Sequence, residues 1–515
     1  MNSFERGSMA VVGVGGIFPK ARNVYELWAN VVAGNSAIRP LPIDRWNRVF
    51  LGSDNDKKGI YTDRGAFLDE GVGVDATKFG IMPIAAENME PDQLIALAVA
   101  DMALTDARQR CTIPDPDRIG VILGKGGYIA PGQIRSANEL RESQQLARSI
   151  AQIFPSVSHS GVARLARLYA EQVGGIDSDM AVGMISNMAA SRIANRFDLR
   201  GPAYLVDGAC ASSLVALDHA MSELALGRVD MVLVGGVHHC HDVTLWRLFS
   251  QLGALSKSGE VRPFSASADG TLLGEGTGMV VVKRLEDALQ DGDDVYAAVT
   301  GIGISSDGRD ASVVSPSWSA QERAIRRAWK EAGIDMGSAG AVGYIEGHGT
   351  ATPLGDEAEL TALRKVLGDD RSLGTVYLGS VKALVGHTMA AAGIVGLIKA
   401  IMAVSEAVIP MMPSDGDATH ALQDSRMEIS RTSFPWKENS VVRRAGLNAF
   451  GFGGVNAHVV LEEVERAMDS KLGSRVLEVQ QVSRVPVRLA ARTVSDLDDL
   501  LSQPVSVIEG LSPLD

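Results

Sequence analysis

A strand that turns within three residues into a long helix fixes the layer order of any domain containing it. The segment GPAYLVDGACASSLVALDHAMSELALG (201–227) reads as such a unit. Ala203 to Val206 form a short apolar run, and the chain turns through Asp207, Gly208 and Ala209. Leu214, Leu217, Met221 and Leu224 then recur at helical spacing, and Gly227 can end the helix. Cys210 therefore lies where a strand feeds a helix N-terminus. Unpaired N–H groups and the helix dipole favour a thiolate there, so a depressed thiol pKa is expected. The alternative is a small buried structural cysteine.

Strands alternate with helices along the whole chain, and glycine is abundant at 55 of 515 residues. That pattern predicts α/β layers around a largely buried sheet. AVVGVGGIF (10–18) and AAVTGIGIS (297–305) look alike, as two glycine-interrupted strands that could open two related halves. Gly13-Val-Gly15-Gly16 does not complete a dinucleotide-binding loop, because position 18 is Phe. Residues 40–75 are rich in Asp, Gly and Arg and read as a surface excursion. Residues 125–180 read as a polar helical insertion, and 464–515 as a tail with one helix candidate, VSDLDDLLSQ.

The formal net charge of −13 makes nucleic acid a poor default partner. Three cysteines, Cys111, Cys210 and Cys240, are too few for a disulfide framework and suggest a reducing compartment. The N-terminal stretch lacks a basic n-region, and no apolar run approaches the ~20 residues that span a bilayer. A cytoplasmic protein is expected.

Two histidines repeat the Cys210 context. His348 lies in YIEGHGTATPLGDEAEL and His387 in LGSVKALVGHTMAAAGIVGLIKA, each after a strand and before a helix. Open α/β sheets gather chemistry at such strand ends. Lys382 precedes His387 by five positions. In LNAFGFGGVNAHVVLEE (447–463), Gly451, Gly453 and Gly454 let backbone approach a ligand closely around Phe450 and Phe452. A tight turn between strands is the plainer reading. Val-His-His-Cys-His (237–241) is a poor metal site, because adjacent strand residues face opposite ways.

These motifs together resemble the β-ketoacyl synthase (ketosynthase) domains of polyketide and polyunsaturated-fatty-acid synthases. The matching runs are DGACASSL, EGHGTATPLGD, GSVKALVGHTMAAAG and NAFGFGGVNAH, with NMAASRIANRFDLRGP and RPFSASADGTLLGEG beside them. The resemblance covers residues 8–463 and implies a thiolase-like layered αβαβα fold made of two related halves, about 8–290 and 291–463. Residues 464–515 then resemble a post-ketosynthase linker. It implies catalytic Cys210, His348, His387 and Lys382, with Lys382 polarising the His387 region, a role compatible with pairing to a buried carboxylate such as Glu346. It also implies an oxyanion hole from the N–H groups of Cys210 and Phe452, with the Phe452 ring as a gate. Thr350, Thr352, Phe450, Gly451 and Gly453 would contact the pantetheine arm and substrate. The implied reaction needs no metal or redox cofactor, since an acyl carrier protein bears the substrates on phosphopantetheine, and the family implies a homodimer. Three local departures bear on subfamily and substrate: Gly208-Ala-Cys-Ala-Ser-Ser213 for the usual T-A-C-S-S-S, Lys382-Ala-Leu-Val-Gly-His387 for K-S-N-I-G-H, and Val455 for a common Thr. A hydrolase using Cys210, a non-condensing synthase domain and a binding scaffold are the rival readings. Each leaves part of the Cys–His–His–Lys set without a role.

Overall fold

Eleven strands form one continuous sheet in the computed structural model. They are β1 (Met9–Ile17), β2 (Ile119–Lys125), β3 (Ala203–Val206), β4 (Met231–His238), β5 (Gly276–Arg284) and β6 (Ala297–Ser306). The rest are β7 (Tyr344–Glu346), β8 (Val376–Gly379), β9 (Met427–Ile429), β10 (Arg444–Gly451) and β11 (Val455–Glu462). The structure describes residues 7–464 apart from 44, 53–58, 70–73, 128–130, 175–177, 240–241, 310–311, 313–314, 414–416 and 437–441. The chain divides into two units, Met1–Arg466 and Ala467–Asp515, and the second lies outside the described residues, as does the predicted tail helix.

The strand order is β9-β8-β7-β10-β11-β6-β1-β5-β4-β2-β3. Outward from the centre, the first half reads β1, β5, β4, β2, β3, and the second reads β6, β11, β10, β7, β8. Relative directions match as well. β2 runs parallel to β3 and β4, and β4 and β5 are antiparallel, as are β5 and β1. Likewise β7 runs parallel to β8 and β10, β10 is antiparallel to β11, and β11 to β6. The two look-alike segments, β1 and β6, are antiparallel neighbours at the join, with Met9 opposite Val299. β9 is an addition to the second half.

Helices complete the layers. α1 (Pro91–Arg110) covers the outer face of the first half, and α3 (Trp318–Glu331) with α4 (Pro353–Leu367) covers that of the second. Between the halves lie α2 (Ser212–Ala225) and α5 (Ala392–Ser405). α5 is buried on every side and apolar apart from Lys399 and Ser405, as suits a helix enclosed between layers. Gly393 lets it approach α2, for a Cβ there would fall 2.7 Å from Leu214 Cγ. The glycines of the paired look-alike strands have the same cause. A side chain at Gly13 or Gly15 would strike α1 at Ala103 or Ala107, and one at Gly301 or Gly303 would strike α3 at Ala324 or Ala328.

The region 125–180 is helical, with helices at Pro131–Ala137, Ser143–Ile153 and His159–Val173. The region 40–75 departs from expectation. Trp46, Ile60 and Phe67 are buried in one cluster with Trp246, Phe249 and Cys210, and Phe67 stacks on Trp246 with ring centroids 5.8 Å apart. Its charged composition hides a few large apolar residues that join the buried cluster containing Cys210. Among the described residues no helix is long and apolar enough to cross a membrane.

Candidate active site

Cys210 occupies the turn from β3 into α2 and is 5% exposed. The turn is held by its own residues. Ala209 N–H donates to Asp207 Oδ1 (2.9 Å) and Gly208 N–H to Ser212 Oγ (2.9 Å), while Ser212 O–H donates to the Ala209 carbonyl (2.5 Å). Ala209 sits at φ 52°, a left-handed conformation that costs an alanine on the order of 1–2 kcal/mol. The end of β10 comes up against this turn. A Cβ on Gly451 would lie 2.5 Å from the Gly208 carbonyl oxygen, so only glycine admits the approach. As a result the N–H of Phe452 reaches the Cys210 sulfur together with Cys210's own N–H.

The expected low thiol pKa is corrected here. Burial pushes the Cys210 thiol up, outweighing the Phe452 N–H, Lys382 and its own N–H, which all act to lower it. Cys210 precedes the helix N-cap, Ala211, so two N–H groups oppose the desolvation of a nearly enclosed sulfur.

His348 follows β7 and His387 follows β8. Since β8 is the counterpart of β3, His387 and Cys210 hold equivalent places in the two halves. The two imidazoles meet edge to face with centroids 5.5 Å apart, and Phe450 lies 5.6 Å from His348. Burial holds both rings well below the ordinary histidine pKa, with the Lys382 charge acting in the same direction. Both are therefore neutral. Met389 N–H donates to His387 Nδ1 (3.2 Å), so the His387 proton sits on Nε2. Lys382 is 3% exposed, and its own pKa is lowered by burial against the raising influence of Glu346, Glu359 and Cys210. The suggested Lys382–Glu346 ion pair is not formed. Glu346 pairs instead with Lys399 (2.8 Å), which reaches it from α5.

A cavity of about 510 Å³ joins these groups. Cys210, His348, His387, Phe450, Gly451, Phe452 and Gly453 line it, as do Thr350 and Thr352. Phe249, Leu252, Ala254 and Glu359 are also among its lining residues. The Thr350 and Thr352 hydroxyls are 2.9 Å apart. Phe452, 49% exposed, stands on the β10–β11 turn. Cys240 and His241 of the histidine-rich run lie outside the described residues.

Two carboxylates on α4 went unrecognised in the sequence. Glu359 accepts the N–H groups of His348 (2.6 Å) and Gly349 (2.8 Å). Asp356 accepts those of Phe264 (2.6 Å) and Ala351 (3.1 Å), and burial pushes it up to about 8. Their spacing of three on a helix places both on the face towards the His348 loop, which was the available signal.

The sequence matches the family model described as the β-ketoacyl synthase N-terminal domain over residues 7–288 and the corresponding C-terminal domain over 296–414. A ketoacyl-synthetase C-terminal extension matches 417–505. The chain belongs to the β-ketoacyl synthase family. This ketosynthase is 35% identical over 473 residues to a polyunsaturated fatty acid synthase polypeptide of Thraustochytrium sp., covering 89% of the chain and 16% of that relative. It is 35% identical over 505 residues to a phenolphthiocerol/phthiocerol polyketide synthase polypeptide of Mycobacterium tuberculosis, covering 96% and 25% respectively. It thus spans a quarter or less of these relatives. Among solved structures, a ketosynthase from module 6 of the Bacillus subtilis 168 bacillaene synthase superposes with TM-score 0.72 at 30% identity, over 89% of this chain and 72% of that one. An oxazolomycin ketosynthase domain of Streptomyces albus JA3453 gives 0.75 at 26% identity, over 90% and 75%. Ketosynthase domains are acyltransferase-type enzymes that lengthen acyl chains by Claisen condensation, and membership places this ketosynthase among them.

Proposed function

We propose that this chain condenses an acyl group held on Cys210 with malonyl-carrier protein, with loss of CO₂. In the first stage the Cys210 sulfur displaces the thiol of an acyl-phosphopantetheine. An acyl-Cys210 thioester forms, and the Cys210 proton is balanced by the thiol released on the carrier. The N–H groups of Cys210 and Phe452 take the charge that develops on the acyl oxygen. In the second stage malonyl-carrier protein enters, and the C–CO₂⁻ bond breaks. Neutral His348 and His387 donate through Nε2 to the thioester oxygen of the enolate. The enolate carbon attacks the acyl-Cys210 carbonyl, the C–S bond breaks, and a β-ketoacyl-carrier protein leaves. Lys382 orients and polarises this side. Thr350 and Thr352 hold the pantetheine arm with Phe450, Gly451 and Gly453 beside it, while the Phe452 ring gates entry of the second substrate.

The observation that carries this reading is the convergence of one thiol and two neutral imidazoles on a single cavity, with a backbone N–H from a third segment at the sulfur. The proposed working unit is residues 8–463, in halves of about 8–290 and 291–463, followed by a linker over 464–515. It acts as a cytoplasmic homodimer within a larger synthase, on substrates borne by an acyl carrier protein, without metal or redox cofactor.

Cys210→Gln tests the division of labour. Its amide mimics the acyl-cysteine carbonyl, so the variant is expected to lose condensation yet still release CO₂ from malonyl-carrier protein. His348→Ala/His387→Ala should lose both, since removing one such donor alone typically costs ~10²–10³ in rate. Mass spectrometry of the carrier products separates these outcomes. Equal inertness of the two variants would overturn the assignment.

A further inference from the structure

Behind the His348 loop lies a row of enclosed polar side chains with no part in the chemistry above. Trp329 on α3 is 2% exposed, His458 on β11 is fully buried, and Asn448, its register partner on β10, is 2% exposed. Trp329 Nε1 contacts His458 Nε2 at 2.9 Å, and His458 Nδ1 contacts Asn448 Oδ1 at 2.6 Å. Asn448 Nδ2 contacts Glu359 Oε1 at 2.8 Å. That same oxygen accepts the His348 N–H. The direction of every bond follows from the first. An indole N–H can only donate, so His458 Nε2 accepts. Burial keeps this imidazole neutral, pushing its pKa down to about 3, so its single proton is on Nδ1 and is donated to Asn448. The Asn448 oxygen is then committed, and its amide N–H must face Glu359. Gly446 leaves the room, because a Cβ there would fall 2.9 Å from His458 Cε1.

We propose that His458 is a positioning residue for this reaction, the centre of a one-way hydrogen-bond relay Trp329→His458→Asn448→Glu359 that fixes the His348 loop. The inference rests on the condensation reading, which gives His348 its role. A buried imidazole with both nitrogens engaged and its tautomer set by a tryptophan is a costly way to fill space. Each member is either fully paired or a strong liability. What the relay secures is the orientation of the Asn448 amide, and with it the third donor to the carboxylate that holds His348 and Gly349.

The test uses the full chain with acyl- and malonyl-carrier proteins. His458→Leu keeps an apolar filling and breaks the relay. His458→Asn places an amide N–H where Nδ1–H stands and keeps the donor to Asn448. His458→Leu is expected to lower kcat for decarboxylation and condensation by roughly ten- to a hundredfold, because misplacement on the order of 1 Å carries a cost of that size. KM and acyl loading of Cys210 should stay unchanged, and His458→Asn should recover most of the loss. If His458→Asn is as slow as His458→Leu, the residue is packing and the proposal fails. A wild-type rate for His458→Leu also overturns it. Should His458→Leu not fold, Trp329→Phe removes only the indole donor. Ring ¹⁵N spectra should then show His458 leaving its single Nδ1–H form, and an unchanged tautomer would sink the relay. His348→Ala serves as the control. If it condenses normally, the reading of the site is at fault. If it is inactive while His458→Leu is normal, only the relay is.

Discussion

The Cys210 turn and the His348 loop occupy similar places, each at a strand end before a helix, yet they are held in opposite ways. The Cys210 turn is closed by Asp207, Gly208, Ala209 and Ser212, all within six positions. The His348 loop hangs on Glu359, which in turn depends on Asn448, 89 positions further along. In the proposed mechanism Cys210 must present its sulfur, and the turn that does so is braced by its own residues. A donor that must face another segment's ligand needs its height above the sheet set, and only other layers can set it.

The contrast is most open to attack at Glu359. Glu359→Leu leaves the N–H groups of His348 and Gly349 and the Asn448 amide enclosed without an acceptor. At roughly 1–3 kcal/mol for each stranded group, it should lower unfolding free energy more than any change in the Cys210 turn and abolish condensation. Urea unfolding monitored alongside activity checks this, and unchanged stability would mean the loop is not held from α4. A smaller effect separates the two regions by pH. Burial raises the Cys210 thiol, so alkylation by iodoacetamide should climb about tenfold per pH unit through the ordinary thiol range near 8.5 and keep climbing beyond it. A plateau reached below neutrality would restore the thiolate expected from the helix terminus. The smallest effect belongs to Ser212→Ala. Losing one local hydroxyl should cost about 1 kcal/mol and slow acyl loading, with malonyl decarboxylation unaltered. A variant that slows both steps equally would show that the turn is not self-contained.

What could be read from the sequence follows the same divide. Cys210, His348 and His387 stood out because a strand end, a small-residue turn and a helix are consecutive in the chain. The pairing of Asn448 with His458 was within reach too, for a hairpin centred on Gly453 sets those two opposite each other. Trp329 could not be found, since nothing near it marks a helix 129 positions upstream as the neighbour of β11. The thiol pKa was misjudged because a terminus is visible in a sequence whereas enclosure is not. Residues 40–75 depart from expectation for a related reason: many charges obscure Trp46 and Phe67, which belong to the same buried cluster as Cys210.

The place of β10 and β11 in the sheet bears on how the protein comes off the ribosome. β1 to β5 can assemble among themselves once residue 284 has emerged. In the second half, β7, β8 and β9 have no sheet neighbour leading back to β6 except through β10 and β11. The strands bearing His348 and His387 therefore wait, unjoined to the cysteine's half of the sheet, until the final hairpin is made and slides between them and β6. A nascent chain stalled before residue 462 has the Cys210 turn already built while the His348 and His387 loops are not yet joined to it, so under the proposed mechanism condensation waits for the final hairpin.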